Sequence, residues 1–439
     1  MEYKGGDPAS RRVESADMKV LVLAVRGLQT AYMGCYGNPW IATPNLDALA
    51  ASGVVFDQHF ADRADAAGAR RTWRDGRHHL PDPSYSEPPA DGCADLIEQL
   101  VKRGVATCLV LDDGRPVESG FEAGWDEVER AASFDGVLEA AGAALNHMAR
   151  RDDWLLWVDL AVLLPPWDTP EEFLAPYFAA EPADDPEEDE EDEDEDEIED
   201  DEIEEEIEEE VDEEEPLTPI SDPIRGSIDP ADEMLYARLQ SSYAAAVTRL
   251  DDGVGRLLER LGDLDGAEDT LVVWTADCGQ ALGEHGVVGT TSPSAHEEMV
   301  HLPLILSLPG ADEAGRRVAA LTQAVDLAPT LADVFEVALS SAHGRTLLPL
   351  VYGASEEVRP YVCSGAQTGD VTEWSLRTSE YALLLPVQTD AGGARLYVKP
   401  DDAYEVNNVV QHHMELAEEL ERTLRAFVEA TRRAGPAAL

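Results

Sequence analysis

Asp277, Cys278, Glu284 and His285 fall within the segment Ala276–Gly286 (ADCGQALGEHG), directly after the apolar run Thr270–Ala276. Carboxylate, thiol and imidazole groups at one strand-to-loop junction are the ligand and proton-transfer groups of a metal or acid–base site. The plainer reading makes Asp277 and His285 loop caps and Cys278 a small buried filler. A second set of candidates follows Phe60, where a loop carries Arg70, Arg71, Arg74 and Arg77. Guanidinium forks suit sulfate and phosphate, so Arg70, Arg71 and Arg74 are anion-binding candidates; in so acidic a chain they can equally pair with its own carboxylates. Thr72 is the nearest hydroxyl to Arg70, but no base stands beside it, which makes it a poor nucleophile. A third apolar run, Val20–Val25, ends in Arg26-Gly27.

These junctions matter because ligands of open α/β sheets bind beyond the carboxyl ends of the strands. The near-continuous apolar runs 19–25, 54–60, 105–111, 154–160, 270–276 and 302–308 read as strands, several of them buried on both faces. Helical periods lie between them at 43–52, 93–103, 136–150 and 229–261; Thr43 and Pro44 mark one start and Gly53 its stop. Alternation of this kind predicts an α/β fold with a large, mainly parallel central sheet flanked by helices. Trp154, Trp157 and Trp274 lie in strand runs and are core. From residue 361 the texture changes to short alternating runs at 371–378, 381–387 and 395–398, with the hairpin signal Asp390-Ala391-Gly392-Gly393, and then a helix at 414–431. The predicted organisation is an arm at 1–17, a main α/β domain at 18–360 interrupted by an insert at 181–216, and a C-terminal antiparallel sheet-and-helix subdomain at 361–439.

Charge divides the same way. The 439 residues hold 91 acids against 32 bases, a formal net charge of −59. Of these acids, 27 lie between Asp184 and Glu215, a segment without Lys or Arg. Its first half, nearly all acid, is predicted to be disordered at neutral pH. In the second half Ile198, Ile203, Ile207 and Val211 form a helical stripe that repulsion keeps melted unless a basic protein or divalent cations screen it. The insert reads first as a solubilising loop and second as a docking site for a basic protein or a low-affinity cation sponge. A nucleic-acid backbone binder is excluded by the scarcity of clustered Lys and Arg. Five cysteines without a CxxC (Cys35, Cys93, Cys108, Cys278, Cys363) do not form a disulfide or zinc framework and fit a reducing compartment. No apolar run approaches the ~20 residues of a membrane span. The polar N-terminus does not read as a signal peptide, and Met18 is an alternative start; the expected location is cytoplasmic.

The chain resembles the sulfatase family within the alkaline-phosphatase-like hydrolases. The likeness rests on MGCYGNPWIATPNLDALAASGVVFDQHF (33–60), VDLAVLLPPWDTPEEF (158–173) and YAAAVTRLDDGVGRLLERL (243–261). It continues in TLVVWTADCGQALGEHG (270–286), HLPLILSLPG (301–310) and LYVKPDDAYEVNNVV (396–410), in the family's order. The resemblance implies the sulfatase fold and hydrolysis of sulfuric or phosphoric esters. It also implies a divalent cation, calcium above all, held by one or two acidic residues after the first strand and by an Asp-His/Asn-Gly pair. Its nucleophile belongs to a Cys/Ser-x-Pro-x-Arg motif, oxidised to formylglycine in true sulfatases.

At those positions this chain departs from the family. Arg26 and Gly27 follow the first strand. Counting back from Asp75-Gly76-Arg77, the nucleophile motif falls on Ala66-Ala67-Gly68-Ala69-Arg70, so only the arginine survives. The metal pair becomes Asp277-Cys278, a lysine expected after GEHG falls at Thr290, and a histidine expected before PPWD falls at Leu164. Calcium wants six to eight oxygens, thiolate is a poor ligand for a hard cation, arginine repels one, and Ala66 has no oxygen to activate. The expectation is a pseudoenzyme that binds an anion or a protein, with no cofactor and with Arg26 paired to Asp277 in the vacated metal position. The alternatives are an active hydrolase using other residues, which alone would need a divalent cation, and a scaffold acting through the insert.

Overall fold

The computed structural model describes residues 18–84, 95–117, 119–178, 217–289, 294–388 and 392–432. The arm, the acidic segment 184–215, Cys93, Thr290 and Asp390-Ala391 lie outside the described residues.

In chain order the strands are β1 (Lys19–Val25), β2 (Val54–Phe60), β3 (Ala106–Asp112), β4 (Glu127–Ala131), β5 (Trp154–Leu160), β6 (Gly226–Ser227), β7 (Thr270–Ala276), β8 (Val287–Val288), β9 (His301–Leu302), β10 (Leu304–Ser307) and β11 (Arg316–Gln323), followed by β12 (Val362–Thr368), β13 (Val371–Arg377), β14 (Tyr381–Pro386) and β15 (Arg395–Val398). The helices are α1 (Pro44–Ser52), α2 (Ala66–Asp75), α3 (Leu96–Arg103), α4 (Phe134–Met148), α5 (Glu171–Phe178), α6 (Glu233–Gly262), α7 (Glu297–Val300), α8 (Leu327–Val334), α9 (Leu348–Val351) and α10 (Met414–Thr431).

The main sheet runs β11-β2-β10-β7-β1-β5-β3-β4, with β9 paired to β2. β1 lies at its centre, parallel to β5 and β7 and in register with both along its whole length. Its sequence KVLVLAV is apolar on every residue after the first because both faces are covered. On one face Leu21, Leu23 and Val25 pack with α1, α4 and α6; on the other Val20, Val22 and Ala24 pack with α2, α3 and α8. Trp154, Trp157 and Trp274 are fully buried in this core. Replacing any of them by Ala costs about 3–5 kcal/mol.

The run 302–308 is not a parallel strand closing the series. Pro303, which has no N–H for the ladder, divides it into β9 and β10, and β10 runs antiparallel between β7 and β2. α2 occupies what the sequence presents as an arginine-rich loop. Asp65 caps it by accepting the Gly68 N–H at 2.7 Å, and Gly76 closes it in the left-handed conformation at φ +66°. Its buried side is Gly68, Ala69, Arg70, Thr72, Trp73 and Asp75, which does not read as an apolar stripe.

The C-terminal sheet β12-β13-β14-β15 is antiparallel throughout and packs against α10 through Leu376, Leu383, Leu396, Leu424 and Phe427. It is tied to the end of β2 by backbone bonds between Asp62, Ala64 and Gly365, and to the segment after α2 by Trp374 Nε1 donating to Pro81 O at 2.6 Å. Among the described residues no helix is long and apolar enough to cross a membrane.

Candidate functional site

Parallel register places the central residues. Val25 stands opposite Leu160 on β5 and Ala276 on β7. The ladder continues one step: the Arg26 N–H donates to Leu160 O at 2.8 Å and the Asp277 N–H to Val25 O at 2.9 Å. Arg26 and Asp277 are therefore neighbours at the same level, on the face that carries Ala24 and its partner Asp159. That face is covered by α2, which lowers Arg70 onto the strand ends.

Two carboxylates and two guanidiniums meet there. Arg70 Nη2 donates to Asp159 Oδ1 and Oδ2 at 2.8 and 2.7 Å, and Arg70 Nη1 donates to Ala66 O at 3.1 Å. Asp277 Oδ2 lies 3.6 Å from Arg70 Nη1 and 3.7 Å from Arg26 Nε, in charge contact with both but without a hydrogen bond. Asp277 Oδ1 accepts the N–H groups of Gly27 at 3.2 Å and Cys278 at 2.7 Å. Arg26 also donates through Nη1 to Arg115 O. All four residues are at most 8% exposed. Burial opposes the charge of Arg70, but Asp159 and then Asp277 raise its pKa above the ordinary value. Burial raises the Asp277 carboxyl, and Arg70 and Arg26 pull against it.

The remaining predicted positions surround this cluster. Ala66 opens α2 with a methyl group, and the adjacent Asp65 is committed to the Gly68 cap and to Arg63 Nε at 2.6 Å. Gly27 adopts φ +73°, and a Cβ there would stand 3.0 Å from Gln280 Oε1 and Leu164 Cδ2, so a larger residue would be strained in its backbone and would have to displace both side chains slightly. Leu164 thus fills space beside the turn, where the family resemblance implies histidine. Burial, and secondarily Asp277, raise the Cys278 thiol well above its usual pKa, which disfavours the thiolate. Thr72 is fully buried and donates to Asp62 Oδ2 at 3.4 Å.

The arginine candidates separate. Arg70 alone among them joins the strand ends. Arg74 is held by both Asp95 carboxylate oxygens at 2.6 and 2.7 Å and by the carbonyls of Phe121 and Ala123. Arg71 is exposed, and Arg77 donates to Ser341 O at 3.3 Å.

His285 belongs to a second buried network. It stacks on His296 at 3.7 Å between ring centroids and lies 3.5 Å from Glu298 Oε2. Burial works against its protonation, but Glu298 outweighs burial and raises its pKa. His296 Nδ1 donates to Glu405 Oε2 at 2.7 Å, while Glu405 Oε1 takes Arg377 Nη2 at 2.8 Å and Lys399 Nζ at 3.2 Å. Glu405 therefore joins α7 to the C-terminal sheet. Glu284 faces elsewhere, accepting from Gln29 Nε2 at 2.8 Å and the Leu282 N–H at 2.7 Å.

Sequence reasoning did not single out Asp159 or Glu405. Asp159 is the one charge within the otherwise apolar strand WLLWVDL, a visible signal. Glu405 lies in the YEVNN turn, which reads as simple packing. The four cysteines among the described residues are free.

The Sulfatase family model matches residues 168–337, and the model for the C-terminal part of N-sulphoglucosamine sulphohydrolase matches 283–432. Arg26, Ala66 and Arg70 lie outside both spans. N-acetylglucosamine-6-O-sulfatase of Bacteroides thetaiotaomicron is 29% identical over 210 residues, covering 44% of this chain and 37% of that protein. Human iduronate 2-sulfatase is 25% identical over 337 residues, covering 67% and 60%. The chain thus spans between about a third and three fifths of these relatives. In fold it is similar to a protein solved with its substrate D-glucosamine-2-N,6-O-disulfate, with a TM-score of 0.71, 19% identity and coverage of 95% and 98%. It is also similar to the phosphonate monoester hydrolase of Agrobacterium radiobacter, with a TM-score of 0.70, 16% identity and coverage of 94% and 96%. The chain belongs to the sulfatase family, on the alkaline-phosphatase-like fold.

Proposed function

We propose that this protein keeps the sulfatase scaffold without its hydrolytic chemistry and acts by binding. The observation that carries this reading is the pairing of Asp277 with Arg26 and Arg70, 3.7 and 3.6 Å away, at the strand ends where the family holds its cation.

A divalent cation does not fit these groups. The carboxylates Asp159 and Asp277 already face two guanidiniums, so a cation placed among them would meet two positive charges and too few free oxygens. Cys278, a buried protonated thiol, adds no hard ligand. No step can be written through formylglycine either, because Ala66 has no heteroatom from which to make it. What the site does instead is structural: Arg26 and Arg70 neutralise carboxylates that would otherwise be buried and unpaired.

Binding of an anion or of a protein partner is the remaining activity class for such a scaffold. A basic partner at residues 184–215 is supported by the charge of that segment alone.

The test is turnover of aryl sulfate and aryl phosphate esters with calcium, manganese or magnesium added. The expected result is no turnover above a heat-denatured control. Metal-dependent turnover that disappears in Asp277→Ala would overturn the reading and favour an active hydrolase using other residues.

A further inference from the structure

Cys108, Glu127 and His147 come from three successive elements, β3, β4 and α4, and share no residue with the Arg26–Asp277 cluster. Parallel register sets Cys108 directly opposite Glu127, so the two side chains project from the same face of the sheet. α4 covers that face: Val137, Ala141 and Leu145 join the core that contains Cys108, and His147 stands in the last turn of the helix. One ligand atom of each of the three residues, the sulfur, a carboxylate oxygen and a ring nitrogen, lies within 4.8 Å of the other two. Cys108 is fully buried, whereas the side chains of Glu127 and His147 are 40% and 39% exposed, which leaves the cluster open to solvent on their side.

The His147 ring is oriented from behind. Its Nδ1 lies 3.2 Å from Ala143 O, a carbonyl that can only accept, so Nδ1 carries the proton. Nε2 then faces Glu127 Oε2 at 2.7 Å. Two lone pairs do not meet at that distance, so the contact calls for a second proton on the ring or for a cation shared by the two groups. An imidazole held by a backbone carbonyl through its other nitrogen is the usual setting of a metal-ligating histidine. The charges that act on the Cys108 thiol are those of Glu127 and Glu129, both negative. Arg130, the base between them in β4, projects to the opposite face and pairs with Asp113 at 3.4 Å.

We infer that Cys108, Glu127 and His147 bind a divalent cation of the zinc class. Sulfur and imidazole nitrogen with a single carboxylate select zinc over calcium or magnesium, which want oxygen ligands. Zinc takes the Cys108 Sγ at about 2.3 Å and the His147 Nε2 and Glu127 Oε2 at roughly 2.0–2.2 Å, with a water as fourth ligand on the exposed side. Around one tetrahedral ion such atoms stand roughly 3.3–3.6 Å apart, so His147 and Glu127 need to open by only about 0.6 Å. Binding breaks the S–H bond of Cys108 and releases its proton, with any proton on His147 Nε2, to solvent. Thiolate and carboxylate then balance the two charges of the ion, so no net charge is brought to this half-buried edge.

The experiment titrates the reduced full chain with cobalt(II), the spectroscopic stand-in for zinc, in excess calcium to saturate the acidic segment 184–215. A thiolate-to-cobalt charge-transfer band is expected to level off at a single cobalt per chain and to bleach when zinc is added. Cys108→Ala is expected to abolish the band, while Cys35→Ala keeps it. His147→Gln, at a partly exposed position, is expected to weaken zinc binding at least about tenfold, read by calorimetry in the same calcium buffer. If Cys108→Ala does not fold, the zinc affinity of His147→Gln decides. Absence of the band from the parent chain, its persistence in folded Cys108→Ala, or undiminished zinc affinity in folded His147→Gln would overturn the inference.

Discussion

Arg26 Nε and Asp277 Oδ2 lie 3.7 Å apart at the same level of two adjacent parallel strands. The pair is one edge of a larger arrangement, since Arg70 reaches the same oxygen at 3.6 Å while holding Asp159 through two short hydrogen bonds. Two charges of each sign are thus closed on one another beneath α2.

Removing Asp277 should therefore be expensive for the fold. Asp277→Ala leaves Arg26 without its acidic partner and Arg70 with Asp159 alone, in a site from which water is nearly excluded. Loss of one member of a buried ion pair costs about 3–5 kcal/mol. Urea unfolding of the variant is expected to show a loss in that range, and a loss below about 1 kcal/mol would mean the contacts contribute little.

Restoring the family's charge should restore a preference for cations. Arg26→Asp places a third carboxylate beside Asp159 and Asp277 with Arg70 alone to balance them, so the variant is expected to be less stable than the parent without metal. Calcium should then raise its melting temperature and leave that of the parent unchanged. An equal calcium-induced rise in the parent would show that Arg26 does not exclude the ion.

The acid limit of stability should depend on Glu405. Burial alone would raise its pKa, but Arg377, His296 and Lys399 hold it well below the ordinary glutamate value of 4.5. A depressed folded pKa means the contribution is complete above the unfolded value and is lost as pH falls through the folded one. Stability should accordingly decline as pH drops below about 4.5. Glu405→Gln should be less stable at neutral pH and show a flatter decline, read by urea unfolding at stepped pH. Parallel profiles for the two proteins would remove Glu405 from the account.

The acidic segment should be dispensable for the fold. It follows α5, a short helix without a fully buried side chain, and precedes α6, whose own cap Asp232 bonds the Leu235 N–H at 2.9 Å. Replacing residues 181–216 by a short Gly/Ser linker is expected to shift the urea midpoint little and to remove most of the calcium bound per chain. Retention of every binding partner by this variant would end the reading of the segment as a docking site.

Some of this was legible in the residues alone. A strand such as KVLVLAV or TLVVWTA declares its burial because both faces must be apolar between layers of helices. The alternation of strands with helical periods declares the α/β class, and the texture after residue 361 declares a different sheet. The absence of an oxygen on Ala66 and the charge reversal at Arg26 are likewise facts of sequence, once the family motifs set the register. α2 was not legible, because its inward side carries a buried arginine, a threonine and glycine instead of an apolar stripe.

What the sequence by itself determined is therefore the layer structure and the residue types at the positions of the family motifs, since each depends on local spacing. Which charge meets which was decided by the tertiary fold. Asp159 is 89 residues from Arg70, Asp277 is 250 from Gly27, and His296 is 109 from Glu405. The pairs at the strand ends are set by strand register and by the helix laid across it, and a one-residue slip of β5 would turn Asp159 to the opposite face.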